Sequence, residues 1–268
     1  MSMATLRIPD PTTPLEMRLA RSEADLLAAQ RLRYKVFVEE FGSTGAMVDH
    51  GARLERDAFD PHFDHLLLID PGRNAAALDH VVGAYRLLPG ARAARAGGFY
   101  SASEYDLSPL IASGRRLLEL GRTCVHPDYR GGMALLQLWS GLAQYVLDNG
   151  VEVMFGVASF PGTDLQALRE PLAWLHHWHM APPALRPRAR PEVFEPMDLL
   201  ARAEVDPRRA AAATPPLIRA YLRMGGHVGE GAFVDHAFRT VDVCLVLDTA
   251  TMPVAQRGFH TRAAAAQR

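Results

Sequence analysis

The sequence has few cysteines, no long apolar run and almost no net charge, and each absence excludes a class of protein. The two cysteines, Cys124 and Cys244, are too few for a disulfide framework, and both lie in apolar, strand-like runs, which fits a reducing cytoplasm best. No apolar stretch approaches the roughly 20 residues that a membrane-spanning helix requires. The formal net charge of −1 provides no basic field for nucleic acid. A composition that is 49% hydrophobic and 22% charged is typical of a globular domain.

The pattern along the chain predicts one domain with a segment on either side. Residues 1–14 lack an apolar signal core and are expected to be a disordered lead-in, and residues 249–268 form a tail without a core pattern. Between them, residues 15–248 alternate strand-like and amphipathic runs, which favours an α/β fold. The Pro- and Arg-rich residues 181–216 are expected to be an excursion from this domain.

Hydrophobic periodicity and turn residues place the elements of this fold. Strands are predicted over residues 15–20, 64–70, 80–88, 117–125, 151–160 and 241–247. Helices are predicted from a Ser22 cap to about Val38, from Met133 to Leu147, from a Thr163 or Asp164 cap to about His176, and over residues 217–224. The segment of residues 39–62 contains Gly and charged residues and is longer than most connections between elements, which favours a functional loop.

The strand over residues 117–125 carries two charged residues in an apolar context, Glu119 and Arg122. In a regular strand, residues three apart point to opposite faces, so the two can cooperate only if the strand is irregular. Gly121 is where a bulge would be tolerated. Either Glu119 is a general base with a cation nearby, or the two form a structural ion pair at a sheet edge.

Further charged residues precede this strand. Arg33 and Phe37 stand four apart on one face of the first helix. Asp57 and Asp60 are three apart and are expected to grip one cation from a shared helical face, although a solvated acidic turn is the plain alternative. Arg86, in an otherwise apolar strand, is expected on its open face or at its end, where it can bind a carboxylate.

These residues, in this order, resemble a known family. The strings RYKVF (33–37), ERDAFD (55–60), GAYRLLP (83–89) and ELGR (119–122) are similar to the sequence marks of acyl-homoserine-lactone synthases, which are acyltransferases of GNAT-like fold. The residues that match that family's pattern are Arg33, Phe37, Asp57, Asp60, Arg86, Glu119 and Arg122. Residues 41–43, Phe-Gly-Ser, stand where that family carries a Trp after its first helix.

A second resemblance covers roughly residues 15–248. The strings AQRLRYKVFVEEFG, GGFYSASEYDLSPL, ELGRTCVHPDYRGG, FGVASFPGTD and GAFVDHAFRTVDVCLVL are similar to the bacterial ornithine N-acyltransferases of ornithine-lipid synthesis. The resemblance implies a GNAT-like α/β fold, a mixed central sheet flanked by helices, and transfer of a 3-hydroxyacyl chain from acyl carrier protein to the α-amine of L-ornithine. The product would be lyso-ornithine lipid.

This reaction gives the residues definite roles. An amine must lose a proton to attack a thioester, and Glu119, if desolvation raises its pKa, can accept that proton. Arg122 is expected beside Glu119 as the second catalytic residue. Backbone N–H groups near residues 121–125 can stabilise the oxyanion of the tetrahedral intermediate. Arg33, Phe37, Asp57, Asp60 and Arg86 are expected on the substrate side. Arg86 or Arg122 would take the ornithine carboxylate, but Arg33, Asp57 and Asp60 could equally form an ion-pair cluster that shapes the donor side.

The donor is expected to bind where the 117–125 strand meets the following helix. Candidates for its phosphopantetheine arm are Cys124, Val125, Arg130, Gly131, Gly132 and Ser159. A helix N-terminus with glycines can hold a phosphate. Residues 130–135 lack the Gly that acetyl-CoA enzymes of this fold carry at the fourth position of their phosphate loop, which suits acyl carrier protein.

The carrier-bound thioester is itself a substrate, so the sequence predicts no cofactor. It also predicts no metal, because His176 and His177 are adjacent on a helix, His179 follows, and neighbours on a helix point about 100° apart. The expected partners are acyl carrier protein and L-ornithine, without nucleic acid, in the cytoplasm and with peripheral contact to the inner membrane. The alternatives are acyl-homoserine-lactone synthesis, acylation of another amino acid, or a non-catalytic carrier-protein-binding module.

Overall fold

The computed structural model describes residues 14–131 and 133–252. The strands in chain order are β1 Glu16–Leu19, β2 Val48–Asp49, β3 Leu54–Glu55, β4 Asp64–Ile69, β5 Val81–Pro89, β6 Tyr105–Asp106, β7 Leu117–Val125, β8 Val153–Pro161, β9 Arg188–Ala189, β10 His227–Val228, β11 Phe233–Asp235 and β12 Thr240–Asp248. The α-helices are α1 Glu23–Arg33, α2 Gly90–Ala93, α3 Ser108–Ala112, α4 Ala134–Asp148, α5 Arg169–His179, α6 Pro207–Ala213 and α7 Pro216–Arg223. Predicted lead-in residues 1–13, Gly132 and tail residues 253–268 lie outside the described part.

The chain divides into two compact units, each built from three segments. The first unit comprises Met1–Ala58, Asp64–Arg86 and Arg122–Ala143. The second comprises Phe59–Phe63, Leu87–Gly121 and Gln144–Arg268. Strands β5 and β7 and helix α4 each contribute residues to both units.

Helix α1 of the first unit begins as the sequence predicts and ends differently. The Ser22 side chain accepts a hydrogen bond from the Asp25 N–H, which caps the helix. The α-helix then ends at Arg33 and continues as a π-helix over Tyr34–Glu40. A π-helix shifts the backbone hydrogen bonds by one residue, and such segments are frequent at functional sites.

The rest of the first unit packs around α1 and one side of a sheet. The strands of this sheet that lie in the first unit have the order β1-β4-β5-β7. Strand β1 runs antiparallel to β4, with Glu16 paired opposite Ile69. A core of small and branched side chains fills the space between helix and sheet, formed by Ala28, Ala29, Leu32, Val36, Leu67, Ile69, Val81, Ala84 and Cys124. This packing places Arg33 at the inner end of α1.

The second unit holds a sheet with the order β5-β7-β8-β12-β10, and β11 also pairs with β12. Strand β8 runs parallel to β7, whereas β12 runs antiparallel to β8 along its whole length, from Thr240 opposite Pro161 to Asp248 opposite Val153. A hydrophobic core packs on this sheet and includes Phe99 packed edge-to-face on Phe155. The architecture is therefore α/β, as the alternation of elements predicts, and its sheet is mixed, as the family resemblance implies.

Helix α5 starts later than predicted. The Asp164 side chain accepts hydrogen bonds from the N–H groups of Gln166 and Ala167, but this forms a turn, and the helix begins at Arg169. Residues 181–216 contain β9 and α6 besides short turns. No helix among the described residues is long and apolar enough to cross a membrane.

Candidate active site

An alternating chain of guanidinium and carboxylate groups lies inside the first unit. The Arg33 Nε donates to Glu55 Oε2, and its Nη2 donates to the Glu55 carbonyl oxygen at 2.7 Å. Arg122 Nε donates to the other carboxylate oxygen of Glu55 at 3.1 Å. The Glu55 side chain is 0% exposed and binds both guanidinium groups. Such a group is stable in the interior only because charged partners surround it.

Asp57 continues this chain to Arg86. Arg122 Nη2 donates to Asp57 Oδ2 at 3.3 Å, and Arg86 Nη1 lies 2.7 Å from both carboxylate oxygens of Asp57. The named groups therefore carry three positive and two negative charges. We call Arg33, Glu55, Asp57, Arg86 and Arg122 the arginine–carboxylate cluster.

The structure corrects two expectations about these residues. Asp57 and Asp60 do not share a helical face, because Asp57 lies outside any helix and Asp60 begins a 3-10 turn, Asp60–His62, in the second unit. Arg86 is not on an open strand face but is buried, with Asp57 as an ion-pair partner. Phe37, in the π-helix, packs on the core of the first unit.

Strand β7 has the irregularity that the sequence predicts near Gly121. Its parallel pairing with β8 ends at Glu119 opposite Phe155. A Cβ atom added to Gly156, the next residue of β8, would overlap the carbonyl oxygen of Leu120. Three residues after Glu119, Arg122 adopts a left-handed backbone with φ of 50°, which is uncommon for a residue with a side chain. The irregularity thus falls at Arg122, one residue after the predicted position.

The Glu119 carboxylate is buried in the second unit with a set of hydrogen-bond donors. Its Oε2 accepts from the Tyr100 N–H at 2.8 Å, and its Oε1 accepts from the Ser101 N–H at 2.7 Å and the Ser101 hydroxyl at 2.5 Å. Both Glu119 and Ser101 are 1% exposed. The surroundings are therefore less apolar than expected, because three donors directly stabilise the anion.

The donors to Glu119 come from a 3-10 turn, Tyr100–Ser103. Aromatic contacts on either side hold this turn, since the Tyr100 ring meets Phe59 edge-to-face at 5.5 Å and Phe99 meets Phe155 at 5.0 Å. The first N–H groups of a turn have no partner within it, so a carboxylate placed there is stabilised by both of them.

The predicted donor region contains a second network, at the end of β7. His126 is buried, accepts a hydrogen bond from the Asp128 N–H through Nδ1, and meets the Tyr129 ring edge-to-face. Burial, with the nearby charges of Lys35 and Arg73, lowers the pKa of His126 to about 4. The Tyr129 hydroxyl donates to Asp70. The neutral form of His126 is the one whose Nδ1 can accept the Asp128 N–H, and this hydrogen bond caps the Pro127–Tyr129 turn.

The remaining predicted donor residues differ in accessibility. Arg130 pairs with Glu40, and its Nε donates to the Val125 carbonyl oxygen at 3.1 Å. Gly131 has φ of 77° and opens the turn before α4. The Cys124 thiol is buried, which raises its pKa to about 12, so it is a core group and not a nucleophile. Ser159, on β8, is exposed and lies opposite Asp242.

The second unit contains one group of carboxylates that could hold a metal ion. Among the described residues, the oxygens of Glu104, Asp235 and Asp242 lie within 4.8 Å of one another, close enough to share an ion. The histidines at the end of α5 do not belong to this group. His177 bonds the Leu200 carbonyl oxygen at 2.9 Å, and His179 packs on Trp174.

Sequence reasoning missed Glu55 and Ser101. A signal for Glu55 is present in the sequence, because it follows the apolar Leu54 and begins the ERDAFD string that also contains Asp57 and Asp60. Ser101 stands in a Gly- and Ser-rich stretch with no local signal at all. Its importance follows only from its position next to Glu119 in space.

Comparison with known proteins agrees with this architecture. The profile of the acetyltransferase (GNAT) domain family matches residues 32–140. The chain is 60% identical to an L-ornithine N(alpha)-acyltransferase of Rhodobacter capsulatus, over 92% of this chain and 95% of the relative. It is 44% identical to an L-ornithine N(alpha)-acyltransferase of Rhizobium meliloti, over 87% of this chain and 79% of the relative.

Two solved structures share the fold at low sequence identity. FeeM, an N-acyl amino acid synthase from uncultured soil microbes, superposes with a TM-score of 0.53 at 10% identity and covers 92% of this chain and 98% of its own. BjaI, a CoA-dependent acyl-homoserine-lactone synthase, superposes with a TM-score of 0.51 at 16% identity, over 94% and 90% of the two chains. These likenesses, with the GNAT match, confirm the predicted GNAT-like fold.

Proposed function

This chain belongs to the family of L-ornithine N(alpha)-acyltransferases, and we propose that it moves a 3-hydroxyacyl chain from acyl carrier protein to the α-amine of L-ornithine. The product is lyso-ornithine lipid. The observation that carries the proposal is the Glu119 carboxylate, which is buried on β7 and oriented by three hydrogen bonds. A buried, oriented carboxylate is the group that an amine needs in order to lose its proton.

The proposed reaction is an aminolysis of the carrier thioester. The α-amine of ornithine attacks the thioester carbonyl carbon and a C–N bond forms, while Glu119 accepts the amine proton, directly or through a water. The tetrahedral intermediate collapses, the C–S bond breaks, and the proton passes to the leaving sulfur to give the carrier thiol. Backbone N–H groups of residues 121–125 stabilise the oxyanion in this scheme, since β7 departs from regular geometry there.

We assign the ornithine carboxylate to Arg122. Its side chain is 8% exposed, whereas Arg33 and Arg86 are 1% exposed. Glu55 and Asp57 orient the Arg122 guanidinium before substrate arrives, so less conformational freedom is lost on binding. Arg33, Arg86 and Asp57 then act as supports of this guanidinium, which favours the ion-pair role over direct substrate contact. Roles for Phe37 and Asp60 stay predictions.

We assign the phosphate of the carrier's phosphopantetheine arm to the turn around Arg130 and Gly131. In the structure the Arg130 guanidinium forms an ion pair with Glu40. When the donor binds in this scheme, Arg130 leaves Glu40 and binds the phosphate instead. The thioester is a substrate, so the scheme uses no further cofactor. Acyl carrier proteins are acidic, and exposed Arg116, beside Glu152, is a docking candidate. Ser159 and peripheral contact with the inner membrane stay predictions.

An amine panel tests the proposal. Purified protein is incubated with 3-hydroxyacyl carrier protein and, separately, L-ornithine, L-lysine, L-2,4-diaminobutyrate, L-glutamine or S-adenosylmethionine, and products are read by mass spectrometry. We expect N-acylornithine as the main product. Preference for another amine would replace the acceptor assignment, and formation of N-acyl-homoserine lactone from S-adenosylmethionine would favour the lactone synthases. If no amine is acylated, the result would favour a non-catalytic module that only binds the carrier protein.

The matched variants are Glu119→Gln and Glu192→Gln, the second at an exposed carboxylate of the same unit. Loss of a general base lowers the rate by about 10²- to 10⁴-fold, so we expect that loss in Glu119→Gln alone. The amide NH2 of Gln would face one of the two backbone N–H donors, so the melting temperature is measured beside the rate. A folded Glu119→Gln variant with wild-type turnover would remove Glu119 as the base.

A further inference from the structure

The Ser101 hydroxyl is one of the three donors to Glu119, and the proposed function gives it no role beyond orienting that carboxylate. It lies 2.5 Å from Glu119 Oε1, and the Ser101 N–H already donates to that same oxygen at 2.7 Å. Both side chains are 1% exposed, so water does not compete for this hydrogen bond. The bond is therefore an interior contact between a neutral hydroxyl and the group assigned as the base.

The hydroxyl is not needed to hold the turn. The Tyr100 and Ser101 N–H groups bind Glu119 through the backbone, which any residue at position 101 other than proline would preserve. Phe99 and Tyr100 anchor the same turn through their aromatic contacts. Removing the hydroxyl therefore subtracts one charge-assisted hydrogen bond and leaves the backbone contacts in place.

We propose that the Ser101 hydroxyl sets the proton affinity of Glu119, and thereby the pH range in which the enzyme can deprotonate its amine. A donor hydrogen bond stabilises the carboxylate more than the carboxylic acid, so it weakens the base. The inference rests on the proposed role of Glu119. Ser101 makes and breaks no covalent bond in this scheme and is a positioning residue, because it acts through Glu119.

The other titratable groups near Glu119 are common to every variant in the test. Cys244 on β12 lies within electrostatic range of Glu119 and Glu104, and its burial raises the pKa of its thiol well above neutrality. Glu104 in turn lies beside Asp242 of β12, and the Tyr100 phenol belongs to the same turn as Ser101. The residues of β8 that pair with Leu117–Glu119 are apolar. A change between variants therefore reports the missing hydroxyl.

The experiment is the pH dependence of kcat and kcat/KM for wild type, Ser101→Ala, Ser101→Cys and Ser101→Thr with L-ornithine and 3-hydroxyacyl carrier protein. Loss of the hydroxyl should move the acidic limb to higher pH by roughly one to two units in Ser101→Ala. The weaker thiol donor of Ser101→Cys should give a smaller shift in the same direction. Ser101→Thr keeps the hydroxyl and should return the limb to the wild-type position.

The control is Ser103→Ala. Ser103 lies in the same turn but is exposed and donates to the Tyr100 carbonyl oxygen at 2.9 Å, so its removal should leave the profile unchanged. A merely structural Ser101 would lower kcat in Ser101→Ala without moving the midpoint of the limb, and that result would overturn the inference. Ser101→Cys, close to serine in size, carries the test if Ser101→Ala does not fold.

Glu119→Gln is measured in the same series to separate the two levels of inference. An inactive Glu119→Gln with an unshifted Ser101→Ala profile would overturn the Ser101 inference alone. A fully active, folded Glu119→Gln would overturn both. Loss of activity in Glu119→Gln with the ordered shifts of Ala, Cys and Thr supports both.

Discussion

Replacing Glu55 with Gln tests whether the arginine–carboxylate cluster needs its buried charge. Glu55 is 0% exposed and binds the guanidinium groups of both Arg33 and Arg122. Gln keeps the shape but removes the negative charge from between two buried cations. Breaking a buried ion pair by removing one partner destabilises a protein by about 3–5 kcal/mol, because the other charge is left without compensation. For a chain of this size that loss lowers the melting temperature by about 10 °C.

The control for Glu55→Gln is Glu39→Gln, which breaks an Arg–Glu pair in the same unit but at the surface. Glu39 pairs with Arg53, and both side chains are exposed, so the expected loss is under about 1 kcal/mol. The measurement is urea unfolding followed by circular dichroism, with N-acylornithine formation assayed at a temperature where both variants are folded. We also expect a higher KM for ornithine in Glu55→Gln, because Arg122 loses an orienting partner. If Glu55→Gln unfolds within 1 kcal/mol of wild type, the cluster does not depend on that charge and our account of it is wrong.

Two further variants test other parts of the structure. Gly156→Ala should lower the free energy of unfolding in urea by about 1–3 kcal/mol or more, because its Cβ would overlap the Leu120 carbonyl oxygen. The control is Gly51→Ala, whose Cβ meets only Asp49 Oδ1 at 3.6 Å and which should be nearly neutral. Equal stabilities of the two variants would contradict the close approach of Gly156 to Leu120. The pKa of His126 is lowered to about 4 from an ordinary 6.5. Between these pH values the unfolded chain binds a proton that the folded chain does not. The free energy of unfolding should therefore fall by on the order of 2 kcal/mol as the pH drops from 6.5 to 4. His126→Asn cannot titrate and should show a flatter pH dependence over that range; an equally steep one would exclude His126 as the source.

Much of the sheet could be predicted from the sequence because its strands are continuous apolar runs with clear ends. Strand β7 occupies residues 117–125 as predicted, and β4 and β5 agree closely with their predicted ranges. The Ser22 cap was equally local, since a side chain and a backbone N–H three residues away decide it. Such features are encoded within a few residues.

The parts that could not be predicted depend on contacts distant in sequence. The π-helix after Arg33 has no composition signal, and Asp164 has the composition of a helix cap but forms only a turn. The partners of Arg122 lie 65 and 67 positions away in the chain, and the pairing of Ser101 with Glu119 spans 18. Sequence identified the charged residues as unusual, but only the fold decides which of them meet.

The segments of the two units alternate along the chain, which limits how far either unit can fold during translation. The first unit cannot be complete before residue 143 has been synthesised, and the second needs Phe59–Phe63 together with β12, which ends at Asp248. Neither unit is a continuous stretch of the chain, so no single proteolytic cut separates one unit from the other. We expect folding to complete only after translation of most of the chain, which is the regime where long-range strand pairing is slow and exposed intermediates associate.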